Sequence, residues 1–170
     1  MTTIPFPEPT LPRASHSDVL LSYLDYFRSR ALAKLAELPI AELHRSRVPS
    51  GWTPLQLINH LTHVERRWMQ WGFMGEHLDD PWADERDGRW HASAGDDLSH
   101  LTADADRQAV RTRAIVMSND LDAVGQPGPR WEGAQPATLE RILLHLIQEY
   151  ARHLGHLDIV AELAGATVGE

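Results

Sequence analysis

Apolar residues in this chain recur at steps of three and four along four separate segments, and nowhere alternate with the period of two that marks a strand. In the first segment Leu20, Leu24, Phe27, Ala31, Leu35 and Leu38 form one stripe. Ser15 or Ser17 can cap it, and Pro39 closes it. The second opens at Thr53-Pro54-Leu55-Gln56, with Thr53 as N-cap, Pro54 in the first turn and Gln56 able to reach back in a capping box. It runs to Phe73, and its stripe is Leu57, Leu61, Val64, Trp68 and Trp71. The third spans Leu98 to Asn119 behind Asp96 or Asp97, with a weaker stripe of Leu98, Leu101, Ala105, Thr112, Ile115 and Val116. The fourth covers Thr138 to Leu163, with Gly165 past its end. Amphipathic helices of this length bury their stripes against one another, so the expected fold is all-α, a four-helix bundle.

The connections set the expected order of the helices. Residues 1–14 carry Pro5, Pro7, Pro9 and Pro12 and read as an extended arm, leaving 15–170 as the bundle. Residues 40–51 are a short connection or short helix, which favours antiparallel first and second helices. Gly75 to Asp97 is the longest stretch without periodicity and can cross the bundle, starting the third helix parallel to the second. The expected topology is therefore up-down-down-up.

Composition excludes several classes of function. The formal net charge is −8, and the 16 basic residues form no run, so neither nucleic acid nor an anionic membrane is an expected partner. There is no cysteine, which removes disulfides, thiolate ligands and a cysteine nucleophile together. Any thiol chemistry would need a thiol brought in as a small molecule. Met1 to Leu11 lacks the pattern of a signal peptide and no apolar run is long enough to span a bilayer, so the expected compartment is the cytoplasm.

The chemistry concentrates in the last helix. Measured from His145 at 100° per residue, Glu149 lies roughly 40° round, His153 roughly 80° and His156 roughly 20°. Ile142, Leu146, Leu157 and Val160 share that arc, whereas Glu140, Arg141, Gln148, Arg152, Asp158 and Glu162 occupy the other side. A carboxylate on a face destined for burial must be neutral, hydrogen-bonded or bound to a cation. Glu149 and His153 are one turn apart, and His60 lies on the shoulder of the second helix's stripe, whereas His63 falls on its polar side as a rim residue. His60, Glu149 and His153 thus make a three-point candidate for a divalent ion on the bundle axis, with a coordination position left open. The competing interpretation pairs Glu149 with a histidine or arginine in a polar core network. His145 and His156 compete for the same role and read more simply as residues next to the site. Trp82, Trp90 and Trp131 lie in connections, where they either wall a pocket or plug helix ends.

Two segments carry a family resemblance. The run Trp52-Thr53-Pro54-Leu55-Gln56-Leu57-Ile58-Asn59-His60-Leu61-Thr62-His63-Val64-Glu65-Arg66 resembles the second-helix histidine motif of the DinB/YfiT-like metalloenzymes. The run from Thr138 to Asp158, with His145, Glu149, His153 and His156, resembles the last-helix motif of an actinobacterial branch. The resemblance extends over residues 15–165. It implies the up-down-down-up bundle and a divalent metal held by three side chains of the second and last long helices. Many members use three histidines, and Glu149 departs from that pattern. The mycothiol-dependent maleylpyruvate isomerases are similar in using His, Glu and His, so the set implied here is His60, Glu149 and His153, with His156 beside it. Members with known activities are transferases or isomerases dependent on mycothiol, bacillithiol or glutathione.

The expectation is accordingly a metal-dependent enzyme that transfers a low-molecular-weight thiol, of the mycothiol type, to a small electrophile. Zinc is the expected ion, with nickel or iron as alternatives for the same donors. The rival expectations are a hydrolase using metal-bound water and a non-enzymatic metal-holding bundle. The expected partner is a small molecule, and a homodimer is allowed.

Overall fold

The computed structural model describes residues 4–93 and 95–166. Ser15 caps α1 (His16–Glu37) by accepting from the Asp18 N–H, and the chain leaves the helix at Leu38 and Pro39. Five of the six residues in its expected stripe are buried, and Phe27 is partly so. The link holds a one-turn helix, α2 (Ile40–Leu43). α3 (Pro54–Arg66) starts on a complete capping box: the Thr53 N–H donates to Gln56 Oε1 at 3.0 Å, and the Gln56 N–H donates to Thr53 Oγ1 at 3.4 Å.

α3 continues as a π-helical segment over Arg67–Phe73, closed by the Met74 N–H on the Met69 carbonyl at 3.1 Å. A π turn holds more residues than an α turn, so a stripe extrapolated at 100° per residue drifts out of phase. Arg67 and Met69 turn inward as a result, and Trp68 and Trp71 are only half-buried.

The connection of 75–97 has structure of its own. β1 (Glu85–Arg86) pairs antiparallel with β2 (Arg89–Trp90). Asp87 and Gly88 make the turn at φ 53° and 70°, the left-handed pair that a two-residue hairpin requires. The hairpin is tied to α3 by the Asn59 side-chain amide, which donates to the His91 carbonyl at 2.8 Å. α4 (Leu98–Met117) is capped by Asp97. α5 (Leu139–Leu163) is capped by Thr138, after a short 3-10 turn at Pro129–Trp131.

Side-chain partners fix the direction of each helix. His16 meets Glu140 and Lys34 meets Asp158, so α1 and α5 run parallel. His60 faces His153, Glu65 faces Tyr150 and Trp68 faces His145, so α3 and α5 run antiparallel. Gln70 bonds Gln108 and Glu76 meets Arg111, which sets α3 and α4 parallel. The topology is up-down-down-up.

The core where the helices meet is built from Leu21, Leu24, Leu35, Leu57, Ile58, Leu61, Met69, Ile142, Leu143 and Leu146. One ionic network runs through it. Glu65, fully buried, receives Arg28 Nη2 at 2.8 Å and the Tyr150 hydroxyl at 2.9 Å, and Arg28 also reaches Asp25 at 2.7 Å. Burial, with Glu65 beside it, pushes the Tyr150 phenol well above its usual range and keeps it a neutral donor. Among the described residues no helix is long and apolar enough to cross a membrane.

Candidate metal centre

Antiparallel packing of α3 on α5 brings His60 opposite the Glu149–His153 turn. One donor atom from each of His60, Glu149 and His153 lies within 4.8 Å of the others, and they are the one group of three or more His, Asp or Glu side chains that meets this test among the described residues. His60 is 9% exposed and His153 is 6%. Glu149 faces two imidazoles, His153 Nε2 at 3.3 Å and His145 Nε2 at 3.9 Å, and no lysine or arginine among the described residues. Burial first, then the His60 and His156 rings, pushes the His153 imidazole down to about 3, so it stands as a neutral donor.

The remote nitrogen of each imidazole is already engaged. Asp84 Oδ2 accepts from His60 Nδ1–H at 2.9 Å, which leaves Nε2 as the free donor atom. Asp84 is completely buried. It is also gripped by Arg67, whose Nη2 donates to Oδ2 at 3.1 Å and whose Nη1 pairs with Oδ1. Burial opposes the Asp84 charge, but hydrogen bonds from His60 and Arg67 hold the carboxyl below the usual carboxylate range. On the other side His156 Nδ1 lies 3.3 Å from His153 Nδ1, so one of the two rings carries the shared hydrogen. His156 therefore touches a donor of the cluster and lies outside it, and His145 sits at its edge.

Aromatic rings wall the cluster unevenly. Trp90, delivered by β2, stacks on His60 at 4.3 Å and 17° and meets the His153 ring at 5.1 Å. Trp131 is buried one layer out, behind Trp68, whose ring meets His145 at 4.8 Å. Trp82 stands away from the cluster, 42% exposed, with the Arg67 guanidinium 4.3 Å from its ring centre.

His63 is a correction to the reading of a rim residue. Its side chain is 12% exposed, and its Nδ1 is buried without a hydrogen bond, 4.0 Å from Asp84 Oδ1. The 75–97 connection covers the side of α3 that periodicity alone leaves facing solvent. Nothing in the sequence marks Asp84 or Arg67 as part of the site, since a carboxylate in an aperiodic loop has no local mark of its partner. One signal was present. Asp87-Gly88 is a strong two-residue hairpin dipeptide, and the hairpin is what carries Trp90 to His60.

The donors fit a divalent ion: two imidazoles and a carboxylate, with the imidazole tautomer fixed at His60 and a coordination position to spare. Fold and cluster together define the DinB/YfiT-like class of bundle. Residues 19–165 match the mycothiol-S-transferase family, and the chain belongs to that family. The fold is similar to that of YfiT from Bacillus subtilis, described as a probable metal-dependent hydrolase with an unusual four-helix bundle topology. The TM-score is 0.66 at 16% identity, covering 92% of this chain and 94% of YfiT. No curated protein matches the chain.

Proposed function

We propose that this protein transfers a low-molecular-weight thiol of the mycothiol type to a small electrophile, with a divalent metal held by His60, Glu149 and His153. The observation that carries the proposal is the meeting of those three donors within 4.8 Å across α3 and α5. Family membership supports a thiol as co-substrate, and a chain without cysteine has no thiol of its own to offer.

When bound, the ion supplies Lewis acidity, which lowers the pKa of an approaching thiol into the neutral range. The chain's own residues do the rest. Asp84 orients His60, and His156 steadies His153. Trp90 stacks on the His60 imidazole and meets the His153 ring in a T-shaped contact, screening that side of the cluster from water. His145 Nε2, beside Glu149, is kept neutral by burial and is placed to relay the thiol's proton on to solvent.

Zinc is the ion these donors suit best, with nickel and iron(II) as competitors. Elemental analysis of the purified protein should find about one divalent ion per chain, and alanine at His60, Glu149 or His153 should each abolish it. Full metal in Glu149→Ala, with loss in His145→Ala or His156→Ala, would refute the ligand set. Thiol binding is then read by calorimetry in buffers of different ionisation enthalpy, with about one proton released per thiol near neutral pH. Turnover of an ester or amide without thiol would replace transfer by hydrolysis, the activity ascribed to YfiT. Metal without any turnover would leave a metal-holding bundle.

A further inference from the structure

On the outer side of Trp90 lies a cavity of about 380 Å³, lined by Ser50, Gly51, Trp52, Gln56, Gly88, Arg89 and Trp90. Two features of this lining decide what it can hold. The first is aromatic: the Trp52 and Trp90 rings are 5.9 Å apart and tilted by 48°, giving two angled apolar faces from two different segments. Positions 51 and 88 are glycines, and a side chain added at either would meet nothing within 4 Å.

The second is electrostatic. Among the described residues the Arg89 side chain makes no hydrogen bond or ion pair, and the lining contains no carboxylate. Seven arginines are paired with acids: Arg28, Arg45, Arg47, Arg67, Arg107, Arg111 and Arg113. In a chain of net charge −8, an arginine left free on a cavity wall is an available anion receptor. The cavity also sits at the N-terminal end of α3, where the helix dipole adds positive potential.

We infer that this cavity binds a small molecule with a flat apolar face and an anionic group, such as an aromatic or unsaturated carboxylate. Trp52 and Trp90 take the flat face, and Arg89 takes the anion. Trp90 stacks on the His60 imidazole, so the bound molecule lies one indole ring away from the candidate metal centre. That this molecule is the electrophile rests on the thiol-transfer reading above, whereas its binding does not.

The six tryptophans give six indole N–H signals in a nitrogen–proton correlation spectrum, assignable by Trp→Phe variants. Metal-stripped protein whose indole signals stay dispersed is titrated with benzoate and, separately, with uncharged benzamide. Benzoate should shift the Trp52 and Trp90 signals saturably and leave that of Trp131, whose Nε1 is held by the Gln126 carbonyl. Benzamide should bind about tenfold more weakly, and Arg89→Gln should bring benzoate to the same level. Arg86→Gln, directly across the hairpin from Arg89 and outside the lining, should keep the preference. Equal binding of the two probes, stationary Trp52 and Trp90 signals, or an unaffected Arg89→Gln protein would each overturn the assignment. The titration is repeated with zinc. Benzoate binding that survives Arg89→Gln only in the loaded protein would make the ion its receptor and also overturn it. Failure to retain zinc at all would reject the metal centre and leave the metal-free titration standing.

Discussion

Asp84 is the residue on which the candidate centre turns, because a carboxylate in a dry interior needs partners for its charge and it has taken His60 and Arg67. If it orients His60, Asp84→Asn should weaken zinc binding by about 10- to 100-fold in a chelator competition, with helical content unchanged. Unaltered affinity would reject the role. His63, beside Asp84, gives a pH prediction. Burial lowers its pKa from 6.5 to about 4, so the folded protein holds it neutral while the unfolded chain takes up a proton first. The unfolded state then binds more protons in that window, and stability falls as pH drops from 6.5 towards 4. Denaturant melts of His63→Gln should lose less stability over that range than those of the parent protein; equal losses would mean that His63 does not titrate differently on folding. The burial of His63 and the role of Asp84 were not legible in the sequence, since both depend on a contact between an aperiodic loop and one side of α3.

Single elements differ in how much each local rule is worth. The Thr53–Gln56 capping box is exposed to water at its edge, so Thr53→Ala should cost about 1 kcal/mol and lower the melting temperature by about 2–4 °C. Arg28→Leu leaves Glu65 charged, buried and without its cation among α1, α3 and α5, and should cost about 3–5 kcal/mol. A melt in which the two variants lose equal stability would show that the network contributes no more than a cap. The capped starts of α1, α3, α4 and α5 were readable because a cap is a contact within four residues. The π-helical end of α3 was not, because its wider turn answers to packing against its surroundings, and a stripe extended at 100° per residue places Trp68 and Trp71 inside, whereas the structure leaves them half-buried.

In the whole molecule, the long crossover makes α3 and α4 parallel and leaves α5 antiparallel to α3, the arrangement that sets His60 against Glu149 and His153. An ion held there ties α3 to α5, so zinc at about a hundredfold excess over its Kd should stabilise the fold by about 2.7 kcal/mol. Thermal melts should show that gain in the parent protein and none in Glu149→Ala; an equal gain in both would place the ion elsewhere. The sequence by itself determined the four long helices, their caps, the lengths of their connections and the arc shared by Glu149 and His153. Those are local properties, set by apolar spacing and by hydrogen bonds a few residues apart. Only the tertiary structure decided that Asp84 engages the remote nitrogen of His60, that Trp90 stacks on that ring, and that Arg89 is left unpaired on a cavity wall. Each of these joins residues distant in sequence or left free by them, and no periodicity records which side chains a folded loop will bring together.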